Sequence, residues 1–169
     1  MTNMVPKFAF FVSGTGTHTD RLQAFERALL AAGPVAHNLV AVSSILPVGC
    51  EIISPEKGFP MLTQGEITFC VMAREDTNEK GRYASAAVGV VKTDDQKQIG
   101  YLSEYHGNTE GDAETEAIAK RMAIEMFEAK FNVLRKNVNM EFFHATTASI
   151  QQPGDNSWVS AVAICFFVL

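Results

Sequence analysis

The sequence predicts a layered α+β fold with many strands and two main helices. Three observations carry that expectation. Runs rich in β-branched and aromatic residues recur from Phe8 to Leu169, two segments instead show helical periodicity behind capping residues, and Gly, Pro, Asn and Asp punctuate the joins. A chain of 169 residues, 47% hydrophobic and 20% charged, is sized for a single domain spanning residues 1–169 with a substantial core.

Taken in order, Phe8 to Ser13 reads as a first strand and "GTGTHT" as a Gly/Thr loop. Asp20 followed by Gln23 resembles a capping box that opens a helix through Ala32, and Gly33-Pro34 ends it. Leu39 to Ser43 reads as a buried strand, before a turn-rich stretch holding Pro47, Gly49, Pro55, Gly58 and Pro60. Glu66 to Arg74 and Arg82 to Lys92 read as strands joined by "EDTNEKG", and Ile99 to Tyr105 as another. Asp112, with Glu114 and Glu116 beside it, starts a long helix to about Leu134, where carboxylates complement the helix dipole. "MEFFHATTASI" and "WVSAVAICFFVL" close the chain as strands, and "QQPGDNS" between them predicts a hairpin.

The helices raise two questions of pattern. In the second, Ile118, Met122, Met126 and Val133 form one apolar stripe and Ile124, Phe127 and Phe131 another, as expected of a helix covered by a sandwich or by a second subunit. In the first, Leu22, Phe25, Leu29 and Leu30 mark the apolar arc, and Glu26 falls inside it. An unpaired buried carboxylate is costly, so Glu26 must bend out to water or meet a cation.

Composition excludes several classes. A net charge of -5 with 14 scattered Lys and Arg does not suit a nucleic-acid binder, which clusters its cations on phosphates. The apolar runs Phe8–Val12 and Val159–Leu169 are too short for a signal core or a spanning helix, so a soluble, cytoplasmic protein is expected. Cys50, Cys70 and Cys165 form no CxxC pattern and suit a reducing compartment. The histidines at 18, 37, 106 and 144 have no metal-ligand spacing, and His144 sits in an alternating strand; no metal is expected.

Why a strand should end in Ser43-Ser44 before Ile45-Leu46-Pro47 is the sharpest question. No GxSxG elbow surrounds the pair, so a hydrolase nucleophile is a poor reading. Two other classes stay open: an oligomeric binding protein that holds a cationic metabolite at Glu26, and an anion-binding loop at "SGTGTH", although that loop lacks a Walker lysine and the dinucleotide spacing.

The stretch "NLVAVSSILP", Asn38 to Pro47, resembles the cleavage segment of the pyruvoyl-dependent arginine decarboxylases. "LQAFERALLAAG" resembles that family's first helix, "GEITFCVMAR" its central strand and "GYLSEYHG" the strand with its catalytic glutamate. The resemblance implies an α/β sandwich with mostly antiparallel sheets, assembled as trimers or paired into hexamers, with the active site between protomers. It implies self-cleavage into 1–43 and 44–169, with Ser43 as a new C-terminus and Ser44 converted to a covalent pyruvoyl cofactor. Asn38 would assist processing, and Glu104 would donate a proton after the substrate's Schiff base loses carbon dioxide. Glu26 stands where the family places an aspartate that binds the guanidinium of arginine; its extra methylene lengthens the reach and leaves another cationic amino acid open. The implied products are agmatine and carbon dioxide, with no metal and no external organic cofactor.

Overall fold

A computed structural model describes residues 4–93, 97–131, 140–143 and 147–169. In chain order the elements are β1 (Phe8–His18), α1 (Arg21–Ala32), β2 (Asn38–Ala41), β3 (Ile45–Leu46), β4 (Glu51–Ile52), α2 (Pro55–Gly58), β5 (Ile67–Thr77), β6 (Tyr83–Thr93), β7 (Gly100–Gly107), α3 (Asp112–Phe131), β8 (Met140–Phe143), β9 (Thr147–Gln151) and β10 (Trp158–Val168). The expected helix end near Leu134, Val133 of the stripe and His144 lie outside the described residues.

Two sheets stack face to face. The first has the order β2-β5-β10-β1-β4, and the second β3-β7-β6-β8 with β9 also paired to β6. The pairings β1–β4 and β2–β5 are parallel and the rest antiparallel, as the expected sandwich requires. Val71, Ala73, Ala86, Val88, Val90, Leu102, Ala161 and Ala163 fill the space between the sheets. Burying each Val or Leu there contributes about 1.5–3 kcal/mol. Outside this pair, α1 covers the first sheet over Phe10, Val12, Val162 and Ile164, and α3 covers the second over Val91. The layers therefore run helix, sheet, sheet, helix.

The Gly/Thr stretch is strand, not loop. β1 pairs with β10 without a break from Phe8↔Val168 to His18↔Trp158, so Gly14 and Gly16 sit in mid-ladder. Their role is to let α1 approach: a Cβ at Gly14 would lie 2.3 Å from the Ala28 carbonyl oxygen, and one at Gly16 2.2 Å from that of Ala24. With its glycines spent on helix packing, this segment offers no open anion-binding turn.

The same contact corrects the helical wheel. The buried line on α1 is Ala24, Ala28 and Leu29, whereas Leu22 and Leu30 are 67% and 62% exposed. Close approach needs small residues, and a wheel weighted by hydrophobicity points at the large ones. α3 repeats the device: Thr115, Ala119, Ala123 and Phe127 are buried, and a Cβ at Gly89 of β6 would be 2.8 Å from the Ala119 carbonyl oxygen. Ile118, Met122 and Met126 flank that line half-buried.

Helix α1 starts as expected, since the Asp20 side chain accepts from the Gln23 N–H at 3.0 Å. "QQPGDNS" is not a hairpin: β9 belongs to the second sheet and β10 to the first, so the segment crosses between them. Gln152, almost fully buried, holds that crossing by donating to the Asp155 and Ser157 carbonyls at 2.6 and 3.1 Å. Among the described residues no helix is long and apolar enough to cross a membrane.

Candidate active site

Strand β2 is an exposed edge rather than a buried strand, with Asn38, Val40 and Ala41 facing solvent. It lies at the margin of the first sheet, and β3 lies at the margin of the second. The chain between them, Val42-Ser43-Ser44, is the passage from one sheet to the other. Three backbone hydrogen bonds hold it: Val42 N–H donates to Cys70 O at 2.9 Å, Ile45 N–H to Ser43 O at 2.9 Å, and Leu102 N–H to Ser44 O at 2.8 Å. Ser43 is exposed and Ser44 half-buried. Ser43 borders an apolar cavity of about 340 Å³ with Val42, Phe69 and Phe167.

Strand β7 brings Glu104 to this passage. It pairs with β3 through Ile45↔Tyr101 and Leu46↔Gly100, and its Leu102 N–H reaches Ser44. Glu104 follows two residues later on the same face of the strand. Burial raises its carboxyl above the ordinary range, partly offset by the positive field of His106. The Cys70 thiol is pushed up to about 11, first by its burial and then by the field of Glu104. His106 contacts Glu75 Oε2 at 3.2 Å, and Arg82 lies 3.6 Å from the same carboxylate.

The other two candidate residues form a second place. Glu26 is exposed on α1 and, with Phe25, His37, Asn38, Leu39 and Met72, lines a cavity of about 510 Å³. The Asn38 side-chain amide donates to the Gly65 carbonyl at 2.7 Å, and its backbone N–H to Glu66 O at 2.8 Å. Among the described residues the buried Nδ1 of His37 has no hydrogen-bond partner. Between Asn38 and Val42 lie four strand steps, about 13 Å at the usual rise. Within one chain Glu104 stands two strand steps beyond the Leu102 donor to Ser44, and Glu26 shares with Asn38 a cavity that Ser43 and Ser44 do not line.

A cluster without a motif braces the second cavity. The Arg74 guanidinium stacks 3.6 Å from the centre of the Phe25 ring and lies 2.7 Å from Asp76, which Arg21 also reaches at 3.0 Å. Burial opposes the Asp76 charge, but hydrogen bonds from Arg74 and Arg21 outweigh it and hold the carboxyl below its usual range. The only sequence signal is the alternation that puts Arg74 and Asp76 on one face of β5. Among the described residues no three His, Cys, Asp or Glu side chains converge as metal ligands.

A family model described as pyruvoyl-dependent arginine decarboxylase matches residues 8–169. The chain belongs to the pyruvoyl-dependent arginine decarboxylase family. It is 37% identical over 169 residues to pyruvoyl-dependent arginine decarboxylase 1 of Methanosarcina acetivorans, covering 100% of this chain and 99% of the relative. It is 41% identical over 154 residues to pyruvoyl-dependent arginine decarboxylase 2 of Archaeoglobus fulgidus, covering 87% and 97%. With the Picrophilus torridus pyruvoyl-dependent arginine decarboxylase the identity is 39% over 158 residues, covering 89% and 87%. The sheet crossing at Ser43-Ser44, the strand with Glu104 and the Glu26 cavity are all inside the region that carries the pyruvoyl-dependent arginine decarboxylase match.

Proposed function

We propose that this chain cuts itself between Ser43 and Ser44 into residues 1–43 and 44–169, carries a pyruvoyl group at residue 44, and decarboxylates arginine to agmatine and carbon dioxide. The supporting observation is the sheet crossing: the serine pair spans it, backbone donors hold the carbonyls of both serines, and the strand that reaches Ser44 also carries Glu104. The residues fit such a group, since Ser44 can supply it and its neighbours Ser43 and Ile45 line a cavity of about 340 Å³. The group supplies a ketone that captures an α-amine and a neighbouring carbonyl that accepts electrons as carbon dioxide leaves.

The chain's own residues supply the rest. Glu104, with its carboxyl raised by burial, holds a proton to deliver to the former α-carbon. Glu26 presents a carboxylate to the guanidinium in the second cavity, and its length beyond aspartate sets how far into that cavity the cation sits. Asn38 lies in the same cavity as Glu26 and would assist scission across the contact between copies. Neither Ser43 nor Ser44 lines the Glu26 cavity within one chain, and the family resemblance implies an active site between protomers, in which the Glu26 cavity of one copy meets the Ser44 of another. Exposed Val40, Ile45, Met61 and Ile67 along this margin favour that contact, and a trimer, single or paired into a hexamer, is the assembly proposed. Its three buried free thiols suit a reducing cytoplasm.

The test is the denatured mass spectrum beside carbon dioxide release from arginine, lysine and ornithine. Two fragments meeting at Ser43/Ser44, with Ser44→Ala uncut and inactive, are expected. Efficient scission in Ser44→Ala would refute the mechanism, and faster turnover of lysine or ornithine would reassign the substrate.

A further inference from the structure

Helix α1 covers the face of β5 that carries Met72, and the period of two puts Arg74 and Asp76 on that face as well. Met72 and Phe25 both line the Glu26 cavity. The Arg74 guanidinium lies 3.6 Å from the centre of the Phe25 ring, so it covers one face and leaves the other face and the edge to the cavity. One carboxylate holds that guanidinium by two contacts: Nε donates to Asp76 Oδ1 at 3.1 Å, and Nη2 lies 2.7 Å from Oδ2. The Asp76 side chain is 2% exposed, and Arg21 Nε also donates to it at 3.0 Å. A buried ion pair is a poor source of net stability, whereas a bidentate one fixes geometry.

We propose that Arg74, held by Asp76, is a positioning residue for substrate choice: it keeps the Phe25 ring as a flat wall of the Glu26 cavity, and that wall favours a guanidinium over an ammonium. The proposal rests on the Glu26 cavity receiving the substrate's cation. A guanidinium is planar, donates within its plane to a carboxylate and is weakly hydrated, so it can lie against an aromatic face with little loss of solvation. An ammonium is compact and strongly hydrated, and against the same ring it loses water that no acceptor replaces. A ring already fixed needs no ordering when the ligand arrives. The Arg74 charge does not itself discriminate, because arginine and lysine bring the same charge to the cavity.

The experiment measures the KM of arginine and the inhibition constant of lysine as its competitor in the cleaved holoenzyme. Scission is checked by mass spectrometry and folding by the urea midpoint. The readout is the ratio of the lysine constant to the arginine constant, in which a loss of active protein, or of affinity common to both ligands, cancels. Phe25→Leu should lower the ratio on the order of 10-fold, through a higher KM for arginine, while Phe25→Tyr keeps the aromatic face and should hold it. Arg74→Met keeps an apolar stem but frees the ring, and should lower the ratio roughly 3-fold, the cost of ordering one side chain on binding. Arg74→Lys keeps the charge without the fork on Asp76 and should lower it likewise. The double variant Phe25→Leu/Arg74→Met should do no worse than Phe25→Leu alone, since Arg74 acts through the ring. A wild-type ratio in either folded Arg74 variant, or losses that multiply in the double variant, would overturn the proposal. Glu26→Gln tests the reading beneath it separately: wild-type arginine kinetics there would mean that the cation binds elsewhere, whatever the Arg74 variants show.

Discussion

At the scale of single residues, the role proposed for Glu104 would separate making the cofactor from using it. Glu104→Gln keeps the shape but cannot donate a carboxylic proton. The chain should still be cut while arginine decarboxylation falls about 10²–10⁴-fold, read by mass spectrometry beside carbon dioxide release. The pH dependence follows in sign. A donor must be protonated, so activity is present below the Glu104 pKa and lost as pH rises through it, and burial extends the working range upward. His106 opposes that shift, so His106→Gln should move the alkaline limb of the kcat profile to higher pH; a limb that stays put would separate the limb from Glu104. Glu26→Gln should leave scission alone and weaken arginine by about 2–5 kcal/mol if the pair is desolvated, seen mainly in KM.

At the scale of elements, both helices sit where they do because glycine leaves room. Gly16→Ala puts a methyl 2.2 Å from a backbone oxygen of α1, a contact that no side-chain rotation relieves. Such overpacking should cost about 1–3 kcal/mol in a urea titration, whereas Leu22→Ser at an exposed position should stay within about 0.5 kcal/mol. This is also where reading from sequence met its limit. Asp20 and Gln23 announced α1 because a cap is a local hydrogen bond. The sequence predicts a loop through Gly14 and Gly16 because glycine's usual signal is conformational freedom, while here its use is an absent side chain. "QQPGDNS" announced a turn correctly but could not say which sheet the next strand would join.

At the scale of the whole molecule, the proposed site is split between copies, and mixing tests it. Ser44→Ala lacks the cofactor and Glu26→Gln lacks the substrate carboxylate, yet an oligomer holding both has contacts where an intact Ser44 meets an intact Glu26. At low arginine, where Ser44→Ala shows no decarboxylation and Glu26→Gln little, co-expression should restore it; no restoration would place both groups in one chain. The sequence by itself determined the layered α+β class, most strands, both helix starts and the serine pair, because periodicity, caps and the motif around Ser43-Ser44 are written in neighbouring residues. Only the tertiary structure decided that Ser43-Ser44 spans two sheets, that Leu102 and Ile45 donate to its carbonyls, and that Glu26 and Asn38 lie apart from them. Those relations depend on which strand edges meet and how closely helices approach, and both are settled by packing between segments far apart in the chain.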